Sequence, residues 1–119
     1  MMDQPSIREL VDAVREFLEK RAMPELKGHT AFHARVAANA LGIVSRQLEQ
    51  GDAAARAETA RLAALFGHDA PLESLNRELC AAIRGGALAL DDPALRAHLE
   101  STTRDKIAID QPNYSGAKQ

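Results

Sequence analysis

Along most of this chain the large apolar side chains recur at three- and four-residue spacing, a period that suits helices packed on one another. Ile7, Leu10, Val11, Val14, Phe17 and Leu18 form the first such stripe. Leu72, Leu75, Leu79 and Ile83 form another, and Leu95, Leu99 and Thr102 a third. Alanine and leucine, both helix formers, dominate the apolar content, and few residues favour strand. Aromatic residues make up only 3% and Trp is absent, so a core must come from Leu, Ile and Val against close-approaching alanine faces. The 119 residues suit one domain, 1–119, ordered over about 5–114 with residues 115–119 as a frayed tail. The expected fold is all-α, a single-domain bundle of about five helices with a central second helix.

Punctuation between the stripes sets the expected boundaries. Met1 to Pro5 reads as a loose lead-in. Ser6 opens a capping box, its hydroxyl accepting from the third helical amide while Glu9 reaches back. The first helix ends before Pro24. A second runs from Thr30 to Gln50 and stops at Gly51, and Asp52 caps a third over residues 53–66. Gly67 ends that one. A fourth spans Leu72 to Arg84 and meets Gly85-Gly86. Asp91 or Asp92 caps a fifth, with Pro93 in its first turn, reaching about Ile107. Leu88 and Leu90 in the last connector are expected to dock on the bundle.

The second helix stands out. Phe32, Val36, Ala37, Ala40, Leu41, Ile43, Val44 and Leu48 cover more than half of its cylinder. Ala31, Ala34, Ala38, Gly42 and Ser45 take the remaining side. A helix that is apolar or small nearly all round is expected to be surrounded by others. Gly42 costs roughly 1 kcal/mol relative to alanine, and close backbone approach is a reason to keep it.

Charge and composition exclude several functions. The net charge is −2 and the pI about 6.1, without the basic stripe or stacking aromatics of a nucleic-acid binder. No apolar run approaches membrane-spanning length, and the charged, amphipathic N-terminus has no signal-peptide pattern, so a soluble protein of a bacterial-type cytoplasm is expected. Cys80 is the only cysteine, so no intramolecular disulfide forms. Its place beside Leu79 and Ile83 reads as a small buried residue. Gly-rich phosphate loops, nucleophile elbows and cysteine-rich zinc patterns are absent, and no cofactor is expected.

Three groups of polar residues could carry chemistry. Arg35 and Asn39 share a helical face, and His33 falls within the apolar arc between Val36 and Ala37. Two readings stand for this cluster. One is a ligand pocket in which Arg35 holds an anion and Asn39 orients it. The other is an internal polar network with Asp105 or Asp110 as the counter-ion of Arg35. His29 and His33 are also four apart, a spacing that can place two imidazoles on one metal. The sequence places no third ligand near them, and no metal site is expected. Asp105, Lys106 and Asp110 form the third group. Lys106 lies roughly on the face of Leu95 and Leu99, where a lysine commonly snorkels outward. Asn76, beside Leu72 and Leu79, is a further candidate for an internal network.

The segments Phe32-His33-Ala34-Arg35-Val36-Ala37-Ala38-Asn39-Ala40-Leu41, Leu75-Asn76-Arg77-Glu78-Leu79-Cys80 and Asp105-Lys106-Ile107-Ala108-Ile109-Asp110-Gln111-Pro112-Asn113-Tyr114 carry a resemblance. From about Pro5 to Tyr114 the chain resembles a bacterial family of small helical proteins of unknown function. Members are often encoded beside aminoglycoside-phosphotransferase-like kinases and acyl-CoA dehydrogenases. The resemblance names no catalytic residue. It implies a role near acyl-CoA or phosphotransfer metabolism by association alone.

The expected function is therefore a non-catalytic accessory module. It would bind a kinase-like or acyl-CoA dehydrogenase partner, or itself as a homodimer, through a small-residue helix face. The alternatives are a binder of an anionic or acyl ligand around His33, Arg35 and Asn39, and a small enzyme using His33 as acid or base.

Overall fold

The computed structural model describes residues 4–118; the expected lead-in at Met1–Asp3 and the last tail residue, Gln119, lie outside them. Among the described residues the chain is all-α, with no strand. Four helices carry it: α1 (Ile7–Phe17), α2 (Gly28–Phe66), α3 (Leu72–Arg84) and α4 (Pro93–Asp110). The expected five become four because the second and third are one helix of 39 residues. A glycine ends a helix by entering the left-handed region, as Gly67 does with φ +76. Gly51 does not enter that region. The alanine-rich run that follows it favours continued helix, and Asp52 lies on an exposed helical position rather than at a cap.

The chain divides into two compact units, Met1–Gln50 and Gly51–Gln119, and α2 contributes a segment to each. In the first unit α1 starts as the sequence predicts. The Glu9 amide donates to the Ser6 hydroxyl at 3.1 Å, and the Ser6 amide donates to the Glu9 carboxylate at 3.2 Å. The α-helix then widens into a π-helical turn, Leu18–Ala22, in which the Met23 amide donates to the Leu18 carbonyl five residues back. Pro24 supplies the reason: its ring clashes with the carbonyl four residues before it in a regular α-helix, and the wider turn relieves this. A single helical turn, Met23–Glu25, and Gly28 with φ +64 lead into α2.

The two helices of this unit run antiparallel, with Arg8 level with Ser45 and Glu49 and Arg15 level with Gly42. The side of α2 that is turned inward is the small one: Ala34, Ala38, Gly42 and Ser45 are all buried. What lies over Gly42 is the flexible end of arginine side chains, not the close backbone approach that the sequence suggests. A Cβ there would lie 3.2 Å from the Arg15 guanidinium carbon and 3.2 Å from a terminal nitrogen of Arg46. The large residues Phe32, Val36, Val44 and Leu48 are exposed. The expectation of a helix enclosed on all sides is thus corrected: close approach of α1 consumes the small face and leaves the large one open.

The second unit holds the apolar core. Leu62 of α2, Leu75 and Leu79 of α3 and Leu95 of α4 are buried together, with Leu65, Phe66, Leu72, Ile83 and Leu88 packed around them. Asp92 caps α4 by accepting from the Leu95 amide at 3.0 Å. Leu88 docks as expected, but Leu90 is 80% exposed. Cys80 is exposed as well, a correction of the buried reading: α3 turns Leu75 and Leu79 inward and carries Cys80 round to the solvent side. Ser115–Lys118 close the described chain as a short 3-10 turn.

Leu62→Ala should lower the free energy of unfolding by about 2–5 kcal/mol, because it removes buried methyl groups from a core with little slack. Urea denaturation followed by circular dichroism measures it. A loss under about 0.5 kcal/mol would mean that the leucine cluster is not the core.

Candidate functional site

The second unit contains a polar arrangement set into otherwise apolar packing. His98 sits on α4 one turn after Leu95, so the stripe that buries Leu95 buries it too, to 4% exposure. Arg61 precedes Leu62 on α2 and lies half-buried. Its Nε donates to His98 Nδ1 at 3.1 Å, and a terminal nitrogen donates to the Thr102 hydroxyl at 3.0 Å. Accepting at Nδ1 fixes the imidazole as neutral, with its proton on Nε2. Electrostatics agree. Burial lowers the His98 pKa, the Arg61 charge lowers it further, and the charge of Glu58 opposes them. In this state His98 is a hydrogen-bond donor and not a general base.

A groove of about 460 Å³ opens beside this triad, lined by Arg61, Ala64, Leu65, Ala94, Ala97, His98 and Ser101. Its walls are largely small and apolar, with a guanidinium, an imidazole and a hydroxyl among them. Such a surface is suited to holding a small molecule with one polar end.

Residues 24–114, about three quarters of the chain, match the family described as domain of unknown function DUF6285. The chain belongs to that family. The match begins at Pro24, so α1 precedes it, later than the start near Pro5 that the sequence suggests. No curated protein and no solved structure matches the chain.

In this DUF6285 member the sequence-predicted site residues fall in both units. His33, Arg35 and Asn39 are exposed residues of the first. His33 makes an edge-on contact with Phe32, ring centroids 5.5 Å apart, and the three line none of the three grooves described for this chain. His29 lies inside α2 and is exposed, like His33. Among the described residues no three His, Cys, Asp or Glu side chains are placed to hold a metal ion. Asn76 joins a polar contact of the second unit, donating to Glu58 at 3.2 Å. Lys106 and Asp110, one turn apart on α4, share a groove of about 290 Å³ with Ile107, Gln111 and Tyr114, while Asp105 is half-buried outside its lining. A third groove, in the first unit, is lined by Arg8, Asp12, Arg15, Glu16, Glu19, Lys20, Ser45 and Arg46. There Ser45 donates to Asp12 at 2.7 Å and accepts from Arg8 at 3.3 Å.

Sequence reasoning passed over Arg61 and His98. The available signal was positional: His98 falls three residues after Leu95 and four before Thr102, inside a stripe already read as core-facing.

The two histidines with side-chain hydrogen bonds, His68 and His98, should titrate in opposite directions. His68 hydrogen-bonds both Glu78 oxygens, at 2.8 and 2.7 Å, and that bond, aided by the Asp69 backbone, raises its pKa. His98 should therefore titrate below the usual value near 6.5 and His68 above it, as read from ring-proton NMR shifts against pH. Because the folded pKa of His98 is depressed, its contribution to stability is present above about 6.5 and is lost as pH falls through the folded value. The stabilising part of His68 has the reverse sign and fades as pH rises past its folded pKa. His98 titrating above 6.5 would rule out the neutral, Arg61-bound imidazole.

Proposed function

We propose that this protein is a non-catalytic accessory module, working in a bacterial cytoplasm, that associates with a partner protein through the open apolar face of its N-terminal helical hairpin. The observation that carries this reading is the exposure of the α1 stripe. Ile7 is 63% exposed, Leu10 41%, Val14 52% and Phe17 58%, and no residue of α1 is buried. Fully burying one such side chain is worth about 1.5–3 kcal/mol, so a helix that leaves four of them roughly half exposed forgoes about half of what its amphipathic patterning can supply. Val44 and Leu48 of α2 are exposed as well, at the levels along the hairpin that the contacts of Arg8 with Ser45 and Glu49 define. Exposed apolar side chains recurring along one helix in this way support a protein-binding role.

The surface differs from the one read in the sequence. The small-residue face of α2 is turned inward, so association falls to the large residues. Family resemblance supplies the partner classes: an aminoglycoside-phosphotransferase-like kinase or an acyl-CoA dehydrogenase, with a second copy of this chain as the other occupant. No helix among the described residues is long and apolar enough to cross a membrane, which is in keeping with a protein surface as the target.

The test pairs a tagged pull-down from the native cell with light scattering of the purified protein. Wild type should bring down a stoichiometric enzyme partner or form a dimer. Val14→Asp with Phe17→Asp should abolish either association and leave helicity largely intact with a small change in melting temperature, since both side chains are already more than half exposed. A wild-type chain that stays monomeric and captures neither enzyme would overturn the proposal.

A further inference from the structure

Beyond the hairpin and independent of it, the second unit carries a half-buried cation, Arg61, that forms no ion pair among the described residues. Among the described residues no carboxylate lies within ion-pair distance of Arg61, whose bonds go to a neutral imidazole and a hydroxyl. The exposed ion pairs of this chain show the contrast: Arg15 has Glu19 at 3.0 Å, Lys20 has Glu16 at 2.9 Å and Arg8 has Glu49 at 3.0 Å. Glu58, the acid whose charge reaches His98, accepts instead from Asn76. A half-buried guanidinium is costly unless its charge is met, and no carboxylate of the described residues meets it by direct contact.

The surroundings hold Arg61 in place. Two of its five N–H donors are engaged, and the partner of its Nε, His98, is itself buried to 4% exposure. The remaining donors belong to a side chain that lines the groove together with Ser101. Ala64, Leu65 and Ala97 supply apolar wall, and a volume of about 460 Å³ lies within the ordinary range for small-molecule sites.

We propose that this groove binds a small monocarboxylate, its carboxylate on Arg61 and its short apolar body along the alanine and leucine wall. One guanidinium matches the single charge and planar fork of a carboxylate. The apolar lining favours a ligand with a hydrocarbon body over a free inorganic anion.

Hexanoate is the probe, with hexanol and inorganic phosphate as controls, and amide NMR shifts are the readout. Hexanoate should shift the amides of residues 94–101 and 61–65 in a saturable way, and neither control should do so at equal concentration. Arg61→Gln should weaken hexanoate binding by about tenfold or more, the scale of a lost charge-assisted hydrogen bond. Ala97→Phe, at an exposed wall position outside the Arg61 network, should block the groove with little change in melting temperature. It decides the matter should Arg61→Gln fail to fold. No saturable hexanoate shift, equal binding of phosphate or hexanol, or binding that survives Ala97→Phe would each overturn the assignment.

Discussion

Uninterrupted helical hydrogen bonding through Gly51 is the constraint on which both units depend. It makes one element the source of two different packing surfaces: a small-residue side over residues 34–45, and Leu62 in the leucine core. A break at Gly51 would leave each unit to order its own segment, and helix nucleation is the costly step. The alanines after Gly51 carry the helix past the least favourable residue in its path.

The units hold themselves together by different physics. The second buries four leucines side by side, each worth a few kcal/mol. The first buries alanine, glycine and serine, and ties α1 to α2 with Ser45, Asp12, Arg8 and Glu49. Part-exposed ion pairs of that sort contribute about 0–1 kcal/mol each. The hairpin is thus the weaker assembly, and it also carries the larger open apolar surface. Both properties suit a segment that completes its packing against another protein.

Local chemistry was legible in the sequence wherever it was self-contained. The Ser6–Glu9 capping box, the Asp92 cap, the Gly67 stop and the limits of α3 all follow from side chains within a few residues of one another, and the structure has each. Long-range choices were less legible. Helix α2 offers a small face and a large face, and only the arrival of α1 decides which is buried; the sequence suggested both. Gly51 reads as a stop, and only its right-handed conformation shows otherwise. The cluster of His33, Arg35 and Asn39 reads in the sequence as enclosed because the helix around it is apolar or small, and with that side of α2 open all three are exposed. His98 and Arg61 went unremarked because their significance lies in a pairing across 37 positions of sequence, which periodicity does not record.

The π-helical turn before Pro24 has a consequence for α1. A five-residue hydrogen-bonded turn acts as one residue more than the regular ladder needs, and one residue of an α-helix corresponds to a rotation of about 100°. Which side of α1 meets the small face of α2, and which meets water, is therefore a matter of phase set at Leu18–Ala22 rather than within Ile7–Phe17. Removing a single residue there would rotate the whole stripe like a dial, taking Phe17 and Val14 away from the solvent without altering any side chain of the helix that carries them.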